Sequence, residues 1–588
     1  MSEPSSELVV VREDQPQTSS PTLAKLAAFM GVPVRELPLP DGSGGGIGGV
    51  AQALRRGGCV SLSARAMRRL HGDGQWPGMT QAPVDGHPGR LFVYGFEPGE
   101  ENSDLVRKLS QAAYRSVRTP DAGANEYAAN SHTRPFCQEF SGLSFGPINP
   151  HNDLVFERAA DDPRAVDYIR IGQHPFLVGF QRGGVHVLLA GTRQILDIDS
   201  PAQNGLTLEH FGALVPAMMF LRHVFTQRSW QATRKLACFI LDDPLLRRRH
   251  GFLRYDGLLE AMERSHFATN ISFIPWNYRR SQADVARMFK RFPHRLSLSV
   301  HGCDHTKGEF ASADVPLLDR KAKVALERMR LHQQLTGLPF DRVMVFPQGA
   351  FSPAALGALS TAGYLAAVNS SPFPAAQTPS ALRWRDLLHV PVIRYGGVPL
   401  FVRRYPNRIA EFALDLFLGK PALAVQHHGY FRHGCDAIEA FAQQLNRLSP
   451  AITWCGLEEV ALRANLRRTE ADGKVRVRFY TREAALENDE AAPRCFRLES
   501  PAFEPFDAVP LLAADGRKLR PWQAGAGFGG EVELQPDEVL RIKAVLPEAD
   551  VPLGAEEKEG LLYRLRAFGR RRLCEFRDNY LSLAWLGR

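Results

Sequence analysis

Ala237-Cys238-Phe239-Ile240-Leu241-Asp242-Asp243-Pro244 is a short apolar run that stops in two adjacent carboxylates. Two later runs end in metal-capable residues in the same way. Leu296-Ser297-Leu298-Ser299-Val300 leads into His301-Gly302-Cys303-Asp304-His305, and Leu423-Ala424-Val425-Gln426 leads into His427-His428-Gly429. Strands that deliver polar residues at their C-terminal ends are how a (β/α) barrel builds a site. Two carboxylates and two histidines arriving this way make a donor set for a divalent metal with a general base beside it.

The surrounding sequence supports that architecture. Candidate strands at 236–241, 269–274, 296–300, 343–346, 364–368 and 422–426 alternate with candidate helices at 253–265, 282–292, 317–336 and 353–362. This rhythm predicts parallel strands joined by crossover helices. Adjacent residues leaving a strand point to opposite sides, so one carboxylate can bind metal while its neighbour faces a substrate. His301 and His305 share a face if a helical turn follows their strand. Phe346-Pro347-Gln348-Gly349, after Val343-Met344-Val345, is a turn able to present backbone N–H groups to an oxyanion. Each piece alone is common on protein surfaces. Their shared position at predicted strand ends is what joins them.

Taken in order, these motifs resemble the NodB-homology polysaccharide deacetylases, carbohydrate esterases that act on N-acetyl sugars in a distorted (β/α) barrel. The family's Asp-Asp motif is matched by Asp242 and Asp243, which the resemblance makes the catalytic base and a metal ligand. Its His-x-x-x-His motif is matched by His301 and His305, the other two ligands. Its Arg-x-Pro-x-Gly turn is matched by Val345-Phe346-Pro347-Gln348-Gly349 only in the Pro and Gly. Val345 stands where the family has the arginine that orients the base. His427, after Val425-Gln426, matches the catalytic histidine. A further motif with Asp and Trp has only Trp384 and Asp386 as candidates. Pro244 replaces a usual glycine, and His428 a frequent aspartate.

The resemblance spans residues 231–465 and implies metal-assisted amide hydrolysis, with zinc the expected metal. Asp242 would take a proton from water, the Gln348 backbone N–H would serve the oxyanion, and His427 would protonate the departing amine. Acetate and a free amino sugar would result. With Val345 in place of arginine, either another arginine orients Asp242 or the base is less well tuned. The alternative is a catalytically degenerate protein that binds a glycan or a partner in a polysaccharide assembly system. A glycosidase is disfavoured, because adjacent carboxylates cannot straddle a glycosidic bond.

The remainder of the 588 residues predicts several domains. A disordered tail is expected over 1–20, an α/β accessory domain over 21–230, a small antiparallel β-sandwich-like domain over 466–550, and a basic amphipathic helical tail over 551–588. In the accessory domain, Arg90 to Phe96 reads as a strand and Ser103 to Val117 as a helix. The glycine-rich stretch from Asp41 to Gly49 contains a formal G-x-G-x-x-G, but Leu37-Pro38-Leu39-Pro40 precedes it, so a glycine turn is expected rather than a phosphate loop.

No apolar run reaches the roughly 18–20 residues needed to cross a bilayer, and the N-terminal stretch lacks a basic region before an apolar block. The eight cysteines are scattered singly. A cytoplasmic location is the expectation. The net charge of +9 is modest and not concentrated with aromatics on one domain, so nucleic acid is not an expected partner. Arg564, Arg566, Arg570, Arg571 and Arg572 alternate with Leu561, Leu562, Leu565, Phe568 and Leu573 at helical spacing. Such a helix either docks on its own domain or makes peripheral contact with a membrane or an assembly partner.

Overall fold

The run that ends at Asp242 forms strand β1 (Leu236–Asp242), buried along its whole length in the computed structural model. The structure describes residues 7–13, 20–39, 47–72, 87–159, 162–375, 382–502, 511–513, 519–524, 527–544 and 561–576. The glycine-rich stretch Asp41–Gly46 lies outside them. The chain divides into two compact units. One holds the residues up to Gln231 with 383–385 and 468–470, and the other holds the rest.

In the second unit β1 is joined by β2 (Thr269–Phe273), β3 (Leu296–His301), β4 (Val343–Val345), β5 (Ala366–Asn369), β6 (Leu400–Val402) and β7 (Ala422–Gln426). The order is β6-β5-β4-β3-β2-β1-β7, with every neighbouring pair parallel. Just beyond β6, the Arg404 N–H donates to the Leu423 carbonyl (2.8 Å), and the Val425 N–H donates to the Arg404 carbonyl (2.9 Å). These bonds join the two edge strands and close the sheet into a distorted barrel. A parallel sheet covered on both faces needs continuous apolar strands, which is why Leu236 to Leu241 reads as an unbroken apolar run.

The crossover helices are α1 (Tyr255–Ser265), α2 (Ala283–Arg291), α3 (Val315–Thr336), α4 (Pro353–Ala362), α5 (Ile409–Phe417) and α6 (Asp436–Leu448). Their ends follow local chemistry. The Asp314 side chain caps α3 by accepting from the Leu317 N–H, and Gly337 ends it at φ +71°. Ser352 caps α4 through the Ala355 N–H, with Pro353 in the first turn and left-handed Gly363 after the last.

The same unit carries two further sheets. One contains Val475–Arg478, Arg494–Glu499 and Gly527–Leu534, and the other contains Glu483–Glu487, Val539–Ala544 and Leu511–Ala513. Val477, Phe479, Leu486, Phe496, Leu498 and Ile542 belong to one buried apolar cluster, the core of a sandwich. Val475–Arg478 pairs parallel to Arg494–Glu499, and the other pairings among these six strands are antiparallel. A C-terminal helix, α7, spans Leu561–Phe576. No helix among the described residues is long and apolar enough to cross a membrane.

The first unit is built on a nine-stranded mixed sheet. Val34–Leu39, Leu8–Glu13, Cys59–Ser63, Gly89–Tyr94 and Val185–Ala190 are parallel neighbours, and His174–Arg182 and Ala165–Ile171 continue antiparallel. Two expectations are corrected here. Leu8–Glu13 falls inside the stretch expected to be disordered, yet Leu8 to Val11 are at most 2% exposed. Polar Ser, Pro and Gln on both sides masked a β-branched run. The helix expected over 103–117 ends at Leu109, and Tyr114–Arg118 is a strand. Gln111 and Ala112 take positive φ between them, and the Ser110 hydroxyl donates back to the Val106 carbonyl at 2.8 Å.

Candidate active site

Asp242 is the last residue of β1, and its carboxylate is 3% exposed. Both oxygens accept hydrogen bonds from one guanidinium: Arg403 Nη1 to Oδ1 and Nη2 to Oδ2, each at 2.7 Å. Arg403 directly follows β6 and is itself 4% exposed. Its N–H donates to the Asn369 carbonyl (2.9 Å) and its Nε to Ser370 Oγ (3.4 Å), so the register of β5 with β6 aims the side chain. Burial pushes the Asp242 carboxyl up, but Arg403, His301 and His427 outweigh it and hold the group below its ordinary value. Asp242 is therefore an ionised carboxylate held at both oxygens.

Asp243 leaves the strand at φ +77°, which turns its carboxylate away from Asp242. Its Oδ1 lies 3.4 Å from His301 Nε2 and 3.1 Å from His305 Nε2. One ligand atom from each of the three residues falls within 4.8 Å of the other two. Four ligands placed tetrahedrally at roughly 2.0–2.1 Å from zinc stand about 3.3 Å apart, so these spacings fit such an ion. His301 is 1% exposed, and its Nδ1 is 2.9 Å from the Val345 carbonyl. That bond selects the tautomer protonated on Nδ1 and leaves the Nε2 lone pair facing Asp243, the usual outer support of a metal-binding histidine. If these three donors held a metal ion, a tetrahedral site would keep one further position.

The helical turn expected between the histidines is absent. Residues 302–306 form a loop with Gly302 at φ +67° and His305 at φ +57°. The carboxylate of Glu309, 5% exposed, fills it. Cys303 N–H and His305 N–H donate to Oε1 (2.9 and 3.1 Å), and Asp304 N–H donates to Oε2 (3.2 Å). A Cβ on Gly302 would meet Glu309 Oε1 at 2.0 Å, so only glycine fits. Asp304, within the loop, points inward to Arg328 (2.5 Å) and Lys321 (3.3 Å). The His-x-x-x-His spacing is thus delivered by a loop wrapped on a buried carboxylate.

His427 follows β7, with Nε2 4.0 Å from Asp242 Oδ2 and its side chain 47% exposed. It sits on the base yet remains open to solvent. Gln348, in the turn after β4, is exposed at φ +59°, and Asn369 Nδ2 fixes that turn by donating to the Gly349 carbonyl (3.0 Å). His428 lies against Phe252 (6.1 Å, stacked) and His250 (5.5 Å, edge-on). Trp384 packs on His210 within the first unit, at 4.3 Å between ring centroids, and Asp386 is buried two residues later in the same short helix, Trp384–Leu388. The sequence reading missed Arg403 and Glu309. The only signal for Arg403 was a basic pair after the apolar Leu400-Phe401-Val402.

No family model matches the chain, and no curated protein matches it in sequence. In structure it is similar to Agd3, described as a novel carbohydrate deacetylase, at 9% identity and a TM-score of 0.48 over 92% of this chain and 99% of that one. It is also similar to the Xyl-CE4 domain of a multidomain xylanase from the hindgut metagenome of Trinervitermes trinervoides, at 9% identity and a TM-score of 0.25 over 39% of this chain and 90% of that one. A family 4 carbohydrate esterase from Streptomyces lividans, in complex with acetate, gives 9% identity and a TM-score of 0.23 over 38% of this chain and 92% of that one. These likenesses concern fold alone, and the site rests on the distances above. In structure the chain is thus similar, at low sequence identity, to proteins described as carbohydrate deacetylases and esterases.

Proposed function

We propose that this chain is a metal-dependent hydrolase that removes N-acetyl groups from amino-sugar units of a polysaccharide or of its biosynthetic intermediate. The observation that carries the reading is the bidentate Arg403–Asp242 pair beside the Asp243, His301 and His305 donor set. Asp243, His301 and His305 would hold a divalent ion, zinc by the chemistry of the donors, which when bound would supply Lewis acidity toward an acyl carbonyl and lower the pKa of water.

The chain's own groups account for the proton transfers. Asp242, ionised at neutral pH, accepts the proton of the attacking water. Arg403 keeps both oxygens of that base in one plane and one place, the role that Val345 cannot fill. His427, 4.0 Å from Asp242, is open enough to touch a leaving amine and donate a proton to it. The Gln348 backbone N–H, in its left-handed turn, is the candidate donor to the developing oxyanion. The degenerate-site alternative drew its motive from the missing arginine, and Arg403 weakens that motive.

Acetate release from N-acetylglucosamine and N-acetylgalactosamine oligomers tests the proposal. The expected result is zinc-stimulated release that a chelator abolishes and that Asp242→Asn lacks. Sugar binding without acetate release, with zinc bound, would favour the degenerate binder.

A further inference from the structure

Among the described residues, large exposed apolar side chains gather on α7. Leu565 is 57% exposed, Phe568 52%, Leu573 71% and Phe576 53%. Arg570 and Arg572 stand exposed beside them, and the Arg572 guanidinium lies 5.2 Å from the Phe568 ring centroid. The sixteen residues of the helix also include Arg564, Arg566 and Arg571, against the single acid Glu575. That acid is turned to the protein: Glu575 Oε2 accepts from Arg280 Nη2 at 2.7 Å. Arg280 in turn donates to Asn277 Oδ1 (3.1 Å), in the turn that follows β2. The neighbouring Trp276 N–H donates to the Cys303 carbonyl of the metal loop (3.2 Å). The helix is thereby moored at the C-terminal edge of the barrel, where the candidate site lies.

A helix of this length spans about 24 Å and is too charged to cross a bilayer. Its composition suits a boundary between two phases. Leucine and phenylalanine need an apolar layer, and arginines beside them need anions at its rim, with their stems lying along the apolar surface. An acidic protein or a nucleic acid offers the anions but not a continuous apolar layer. We propose that α7 docks this protein on an anionic lipid surface, inserting Leu565, Phe568 and Leu573 while its arginines pair with lipid headgroups. The inference does not depend on the reaction proposed above.

The test is cosedimentation of the full chain with vesicles of phosphatidylcholine alone and of an equal mixture of phosphatidylcholine and phosphatidylglycerol. Binding to the mixed vesicles only, weakened by added salt, is the expected result. Replacing two arginines (Arg570→Gln with Arg572→Gln) should weaken it by about thirtyfold. Phe568→Glu with Leu573→Glu should weaken it at least about tenfold, and both changes are at exposed positions, so the fold and its far-ultraviolet dichroism should persist. Equal binding to both vesicle types, no binding to either, or unchanged binding by the Glu variant would overturn the proposal. So would a dimer in light scattering that Leu573→Glu dissolves, because the helix would then be covered by a second copy.

Discussion

Replacing Arg403 by Met tests the pair on which the site is built. The change keeps the aliphatic volume and removes both 2.7 Å bonds to Asp242, leaving a carboxylate 3% exposed without its bidentate guanidinium partner. Breaking a buried pair from one side typically costs about 3–5 kcal/mol, because the stranded charge keeps its desolvation penalty. Removing both charges is far milder, so Arg403→Met with Asp242→Asn should be destabilised by no more than about 1–2 kcal/mol. The pH dependence has a definite sign. Asp242 lies below its ordinary value of 3.8 in the fold, so the pair's stabilisation is present above that value and is lost as pH falls through the still lower folded value. In Arg403→Met, burial acts unopposed by its largest counterweight and the carboxyl moves up. The stability gap to wild type should therefore narrow from about pH 7 to about pH 4 as the variant's Asp242 takes up a proton. Urea unfolding of the metal-free protein at both pH values measures this without invoking turnover. A cost below about 1 kcal/mol, or a double variant as unstable as the sum of the singles, would refute the reasoning.

Other perturbations act on the scaffold. Gly302→Ala forces a Cβ to within 2.0 Å of Glu309 Oε1 at φ +67°, and should cost at least about 1–3 kcal/mol in thermal or urea unfolding together with most metal binding. Glu309→Gln keeps the shape but turns an amide toward backbone N–H groups. Metal affinity by competition with a chromophoric chelator should fall about 10- to 100-fold, whereas unchanged affinity would mean the loop is held by other contacts. Asp341, whose Oδ2 accepts from Asn270 Nδ2 and the Leu457 N–H (both 2.9 Å), is pushed up to about 7 by burial first and then by Glu458. Its contribution is full below about pH 4 and lost as pH rises through about 7; the shift is worth roughly 4 kcal/mol at most, discounted to about 2 for partial exposure. Asp341→Asn should therefore be more stable than wild type at about pH 8 and equal to it near pH 4, by urea unfolding at each pH.

The parts of the site that were legible in the sequence share one property: each ends a strand buried on both faces. Asp242, His301 and His427 close or directly follow strands of five residues or more, and their neighbours Asp243 and His305 come with them. Arg403 was hidden because β6 has only three residues and because its role arises from pairing with β5, a contact made by the fold rather than by spacing. The loop joining the two histidines read as a helical turn because four-residue spacing is the helix period. Nothing local announced that the Glu309 carboxylate would be buried against four consecutive N–H groups. Trp384 was picked by residue type alone, and topology placed it on His210. Leu8–Glu13 was lost for the opposite reason, since its short β-branched run is outweighed by polar flanks in any longer window.

The central claim is that Asp243, His301 and His305 hold a catalytic metal beside an arginine-fixed base. Elemental analysis of the purified full chain, wild type against His301→Ala, tests it most directly. The account predicts about one divalent ion per wild-type chain and a near-empty variant that stays folded. No bound metal in wild type after incubation with zinc, or the same content in both proteins, would contradict it.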